Sequence, residues 1–370
     1  MAYLNRRHLL AGLGVSVALP CAFPSAFPWA VPAIAASSDA AERLAGLMQT
    51  GKVPGLHVLL VSQGGKLVFE HYGRGADERL GTPLGDVVFG PDVLHDLRSV
   101  SKSVVGLAYG IALAEGKVPP PDAKLYAQFP EYADLAAQPG RDKLTIHHVL
   151  SMTLGLEWEE LAIVYGDPRN AETAMEAAPD RYRFILERPI VGEPGAKWTY
   201  CGGATALLGR LIARGTGEAL PAYCRRVLFD PLGFGPSDWN VGRDGEPRAA
   251  SGARLLPRDL VKIGQLMLAD GSWNGKSVAP SDWVKRVTTP VVPTRVGRDY
   301  GYHWYMGDFV TAQPLHWFGG VGWGGQYLFV MPARDLVVVI HCGNYQRSGR
   351  EQTEVMLALM KEVVLPGFAA

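Results

Sequence analysis

The chain has 370 residues, 48% of them hydrophobic and 19% charged, which is enough apolar material for one large domain or two lobes rather than a minimal core. Its 36 basic residues balance 36 acidic ones, so the net charge is zero. A nucleic-acid-binding field and an acidic solvating tail are both excluded.

The first 36 residues read as an export signal. Arg6-Arg7 precede an apolar stretch, and Ala33 and Ala35 have the spacing a signal peptidase prefers. The paired arginines resemble a twin-arginine signal, which predicts export to the periplasm and a mature chain of 37–370. Pro20, Pro24, Pro28 and Pro32 interrupt the apolar stretch, so no stable membrane span is expected after cleavage. Removal of Cys21 leaves Cys201, Cys224 and Cys342. An odd count without a CxxC pair predicts neither a disulfide framework nor a zinc site. His147-His148 are adjacent, which does not place two ligands on one helical face, and no metal is expected.

Apolar residues at helical spacing predict a helix over 39–51. Two β-rich runs around Gly64-Gly65 predict a hairpin over 55–73. An apolar helix follows at 103–116. The long section 117–290 holds helical stretches at 202–217 and 257–271, the latter with Leu260, Ile263, Leu266 and Met267 on one face. Strand patterns return at 300–307, 325–332 and 335–342, and an amphipathic helix at 350–365 ends the chain. Strands first and last with helices between them predict an α+β fold. Its antiparallel sheet would be built from both chain ends (about 37–100 and 295–370), with flanking helices and an inserted all-helical lobe (about 101–294). A cleft between lobes is a usual small-molecule site.

The stretch "LRSVSKSVVGLAYG" heads the 103–116 helix. Residues three apart share a helical face, so Ser99 Oγ and Lys102 Nζ can meet. A helix N-terminus favours negative charge at the serine, and a buried lysine loses charge readily enough to serve as a base. The same spacing also fits a plain helix cap followed by a solvated lysine.

S-x-x-K is a signature of serine β-lactamases and penicillin-binding proteins. The order of "RSVSKSVVGLAYGIALAEGKV", "LTIHHVLSMTLGLEW", "GEPGAKWTYCGGATALLGRLIARGTG", "LFDPLGF", "AASGARLLPRDLVKIGQLMLADGSWNGKSV" and "GVGWGGQYLFVMPARDLVVVIHCGNY" resembles the class C β-lactamase-related serine hydrolases. Within that family it looks most like the 6-aminohexanoate-dimer hydrolase and family VIII esterase branches. The resemblance implies a β-lactamase/transpeptidase-like fold, with Ser99 as nucleophile and Lys102 as base. It makes Tyr200 the general acid/base, whose phenol the lysine charge would help to ionise. Gly202 stands where the family carries an amide or hydroxyl two residues after the tyrosine.

The family's Lys-Thr-Gly strand corresponds to "WFGGVGWGGQYLFV", which has no lysine. The resemblance implies an oxyanion hole from the N–H groups of Ser99 and Trp323, flanked by Gly322 and Gly324 on a strand edge open to substrate. Trp317-Phe318-Gly319 is the competing register, and a Gly-rich turn between strands is the plain alternative. Tyr165 falls where relatives place a substrate-contacting tyrosine, and Trp158 and Tyr165 fit surface packing equally well. Cys201 reads as a small packed residue. His95 and Asp96 lie on the nucleophile's own segment without a G-x-S-x-G elbow, which argues against a Ser-His-Asp triad.

The function implied is hydrolysis of a small-molecule amide or ester through an acyl-enzyme, with no cofactor and no oligomeric state assigned. A β-lactamase or D-amino-acid peptidase is the alternative, weakened by the missing Lys-Thr-Gly and Tyr-x-Asn elements. A non-hydrolysing, acyl-accepting sensor is the alternative of another class.

Overall fold

The computed structural model describes residues 38–368 except Val296. The export signal expected over 1–36 lies outside the described residues. Among the described residues no helix is long and apolar enough to cross a membrane.

The frame is an eight-stranded antiparallel sheet. Helix α1 (Ser38–Gln49) leads into β1 (Leu56–Gln63) and β2 (Lys66–Tyr72). Gly64 and Gly65, at φ 59° and 71°, form the turn between these strands; two successive positive φ values are what a type I′ hairpin requires. The sheet's other six strands come from the opposite end of the chain. They are β5 (Val292–Pro293), β6 (Asp299–Tyr300), β7 (Tyr305–Phe309), β8 (Leu315–Gly322), β9 (Gln326–Met331) and β10 (Leu336–Cys342). Their spatial order is β5-β6-β7-β8-β9-β10-β1-β2. The two chain ends are stitched where β1 pairs with β10, Leu59 opposite Ile340 and Val61 opposite Val338. A separate twisted hairpin, β3 (Arg74–Arg79) and β4 (Thr82–Val88), follows β2; its short polar strands left no signal in the sequence.

Both faces of the sheet are covered, which is why β9 and β10 read as continuous apolar runs rather than alternating ones. Leu60, Leu328, Val337 and Val339 face one cluster, with α2 (Val100–Ala114) and α4 (Pro257–Leu268). Leu59, Phe329, Val338 and Ile340 face the other, with α1 and the C-terminal helix α5 (Gly349–Ala358). The period-two alternation of strand side chains sorts neighbours to opposite cores. Helix α5 continues through a wide turn, Leu359–Val364, within the second core.

The stretch between the sheet's two parts is mainly helical and includes α3 (Gly202–Thr216). It is not all-helical. Ser237–Trp239 and Ala253–Leu255 form a small antiparallel sheet with His95–Asp96. Helix α4 belongs to this stretch in sequence but packs on the sheet. Gly264 lies so close that an added Cβ would stand 2.4 Å from Val337.

The strand expected over 300–307 is split. Gly301–Trp304 leaves the sheet, and His303 adopts φ 64°. The reason is tertiary: His303 carbonyl accepts from Ser103 Oγ at 2.8 Å, and its ring meets Thr205 at 3.0 Å and the Leu150 carbonyl at 2.8 Å. One loop thereby pins α2 to α3.

Candidate active site

Helix α2 is buried from Val100 to Ala112, apolar on every side, and lies across the sheet. Its first residues are held from outside. Ser101 Oγ accepts from the Ala253 N–H at 3.2 Å, and Ser103 binds His303 as above. These two serines are therefore ties to neighbouring segments. Arg98, at φ 49°, makes the sharp turn that delivers Ser99 to the head of the helix. Its guanidinium is gripped by Glu78 at 2.7 Å and Asp96 at 3.0 Å and covers the Tyr345 ring. Left-handed backbone at a non-glycine residue is costly and persists only where such contacts over-determine it.

Ser99 makes no side-chain cap to the helix it precedes, and Lys102 is 2% exposed. The plain cap-and-solvated-lysine reading therefore does not describe the structure. Lys102 Nζ lies 3.0 Å from Ser99 Oγ and donates to the Ala250 carbonyl at 3.2 Å. The Tyr200 hydroxyl hydrogen-bonds to Ser99, and Lys102 Nζ stands 4.7 Å above the Tyr200 ring. The expected help toward phenolate is not what Tyr200 receives. Burial, then the Glu160 charge, push its pKa well above the ordinary value, and the ammonium sits over the ring face. Tyr200 is a phenol at neutral pH.

Strand β8 runs along the head of α2. A Cβ on Gly320 would lie 2.9 Å from Val100, and one on Gly322 would lie 2.6 Å from the Leu97 carbonyl. Only glycine lets the strand approach this closely. Trp323, Gly324 and Gly325 form the turn into β9, with Gly324 and Gly325 at φ 88° and 92°. Trp323 and Ser99 line one cavity of about 580 Å³, which also meets Tyr165, Glu172, Ser251 and Tyr345. Trp317, the competing register, is buried in the core on the opposite face. The Gly324 N–H is bound by Gln352 Oε1 at 2.9 Å, so Gly324 shapes the turn rather than opening toward the cavity. Tyr165 does reach the cavity. Its ring meets Trp323 edge-on with centroids 5.8 Å apart, and its hydroxyl donates to Glu160 at 3.2 Å. Trp158 is buried beneath and donates to Glu160 at 2.8 Å.

Glu160 and Glu172 are components of the site that carry no motif in the sequence. Both are buried, and their carboxyls come together beside Gly202. Glu160 also accepts from the Gly202 N–H at 2.7 Å, and Glu172 from Ser251 at 3.1 Å. Burial and the Glu172 charge push Glu160 up to about 8. Burial would raise Glu172 too, but the Lys102 charge and the bonds from Glu160 and Ser251 outweigh it and hold its pKa below the ordinary value.

His95 and Asp96 turn away from Ser99. His95 lies 2.9 Å from His57, and Asp96 pairs with Arg254 and Arg98. Among the described residues His57, Asp77 and His95 form a His–Asp–His group close enough to share an ion. Asp77, however, already accepts from Tyr345 at 2.9 Å and faces Arg254 at 3.6 Å. Cys201 is buried and its thiol pKa is raised by that burial, which fits a packed residue.

The beta-lactamase family model matches residues 40–359. A 6-aminohexanoate-dimer hydrolase of Paenarthrobacter ureafaciens is 27% identical over 336 residues, covering 81% of this chain and 75% of the relative. Esterase EstB of Burkholderia gladioli is 28% identical over 183 residues, covering 48% of this chain and 45% of the esterase. Two solved structures share the fold. EstCE1, a hydrolase with promiscuous acyltransferase activity, has a TM-score of 0.67 at 16% identity over 88% of this chain and 99% of its own. A penicillin-binding protein from Bacillus halodurans has a TM-score of 0.64 at 18% identity over 86% and 99%.

Proposed function

The chain belongs to the beta-lactamase family and is a serine hydrolase, and we propose that it cleaves an amide or ester bond of a small molecule through an acyl-enzyme on Ser99. The observation that carries this reading is the buried contact of 3.0 Å between Lys102 Nζ and Ser99 Oγ, with Tyr200 bonded to the same hydroxyl. In the reacting form Lys102 has given up its ammonium proton, and its amine takes the Ser99 proton as Oγ attacks the substrate carbonyl, with Tyr200 relaying it. The N–H groups of Ser99 and Trp323 receive the oxyanion. Tyr200, a phenol at rest, protonates the departing alcohol or amine and is reprotonated through Lys102. A water then attacks the acyl carbon, gives its proton to the same pair, and frees the acid. The substrate class is that of the 6-aminohexanoate-dimer hydrolase and carboxylesterase relatives.

The test incubates the mature protein and Ser99→Ala with a short-chain p-nitrophenyl ester and follows product release and intact mass together. Many turnovers that vanish in Ser99→Ala are expected, and a panel of linear amides and β-lactams then ranks substrates. One equivalent of product with a stable mass adduct would instead make the protein an acyl-accepting sensor. Equal activity in the variant would remove Ser99 from the mechanism.

A further inference from the structure

Three chain segments converge on Ser99 from outside α2 and β8: residues 158–172, the Tyr200–Gly202 turn, and Ala250-Ser251. Each is tied to one of two glutamates. Glu160 receives Trp158 Nε1, the Tyr165 hydroxyl and the Gly202 N–H. Glu172 receives Ser251 Oγ, next to the carbonyl that binds Lys102. The two carboxyls meet beside Gly202, where one Cβ would lie 3.2 Å from Glu172 Oε2 and 3.3 Å from Glu160 Oε2. Carboxylates offer acceptors only, so buried carboxyls this close can bond to each other only through a proton. The acid pair fills the space that a side chain at Gly202 would need.

We infer that Glu160 and Glu172 share a single proton, and that this acid pair is a positioning unit for the hydrolysis, holding Tyr200, Tyr165 and the Lys102 acceptor in register around Ser99. With one proton the pair carries one negative charge, which lies near the Lys102 ammonium. Loss of that proton turns the hydrogen bond between the glutamates into a repulsion between buried carboxylates, and the three segments are pushed apart. Activity should therefore have an alkaline limb belonging to the pair, near the value of about 8 for Glu160.

The other charged and titratable groups facing the pair are Lys102, Tyr165, Tyr200, Cys201, Tyr300, Tyr305, Arg248 and Glu176. Burial holds the four tyrosines and Cys201 as neutral groups through this range. Glu176, raised by burial to about 7, is the group that could imitate the limb.

The inference rests on the hydrolase reading, and two readouts keep their failures apart. The first is the pH profile of kcat/KM for wild type, Glu160→Gln, Glu160→Ala and Glu176→Gln on the ester substrate. Glutamine can donate to Glu172 as the protonated acid does. Wild-type activity should fall about tenfold per pH unit above the limb. Glu176→Gln should keep the limb and Glu160→Gln should lack it. Glu160→Gln should also recover most of the plateau that Glu160→Ala loses. The second readout is the carboxylic-acid C=O stretch of the wild-type protein followed by infrared titration, which needs no turnover. A band that disappears near pH 8 and is absent in Glu160→Gln is expected. A limb unmoved in Glu160→Gln, or no carboxylic acid titrating in the wild type, overturns the shared proton. Inactive protein that still shows the infrared transition overturns the hydrolase reading alone.

Discussion

Lys102 is a charge-bearing side chain with 2% exposure, and a site like this exists only because its surroundings answer for it. Ala250 carbonyl and Ser99 Oγ take its hydrogen bonds, and the Glu160–Glu172 pair provides opposite charge. Replacing Lys102 by methionine leaves the remaining glutamate charge uncompensated. The variant should lose turnover by at least about 10²-fold and fold stability by on the order of 1–3 kcal/mol. Kinetics and thermal denaturation on one preparation check both. Tyr200→Phe removes the hydroxyl of the proposed proton relay with little change in volume. It should lower kcat by about 10²–10⁴-fold while shifting the melting temperature little, because the ring packing against Trp198 remains. A wild-type kcat in that variant would exclude Tyr200 from proton transfer.

At the scale of elements, the contact between β8 and the head of α2 sets the site's geometry. Two glycines two residues apart, Gly320 and Gly322, let a strand lie against Val100 and the Leu97 carbonyl. Gly322→Ala should push the strand outward by the clash with a backbone atom, which cannot rotate away. A loss of about 1–3 kcal/mol is expected, and kcat should fall more than KM rises, because Trp323 moves relative to Ser99. Steady-state kinetics of a folded Gly322→Ala would contradict this if kcat were unchanged. The far half of α2 makes the same kind of contact. A Cβ on Gly110 would overlap the Trp283 indole. That contact lies away from the cavity, so Gly110→Ala should lower stability by a similar amount and leave KM alone.

Across the whole molecule, the buried histidines set the response to acid. Burial holds His57 at about 3 and His303 at about 4, and it depresses His95 and His341 as well. Each is neutral in the folded protein and takes up a proton on unfolding below about 6.5, so each adds stability above that pH and loses it as the pH falls toward the folded value. Glu160 and Glu176 work the other way: they hold protons when folded, at about 8 and about 7, and release them on unfolding. His71, His147 and His148 are lowered by burial as well, so between pH 6.5 and 4.5 the protons the histidines take up on unfolding outnumber the two that the glutamates release, and stability falls with pH. The melting temperature should fall sharply below pH 6.5, and a flat or rising profile there would contradict this account.

Sequence periodicity was enough for α1, the β1–β2 hairpin, α3, α4, β9, β10 and the C-terminal helix, because each buries a face whose spacing is set by its own backbone period. The family order placed Ser99, Lys102 and Tyr200 as candidates, since their types and local spacing lie within short segments. Other features were decided by contacts between residues distant in the chain. The Gly301–Trp304 excursion exists to reach α2 and α3, β3 and β4 carry too little apolar pattern to announce themselves, and α4 leaves its neighbours in sequence to pack on the sheet. The glutamate pair is the clearest case. Glu160 and Glu172 are two unremarkable acids in a polar stretch until folding buries them together beside Lys102 and beneath a glycine that leaves room for both. A local pattern can nominate a nucleophile and its base, but burial and shared protons are properties of an enclosed volume, which only the tertiary structure creates.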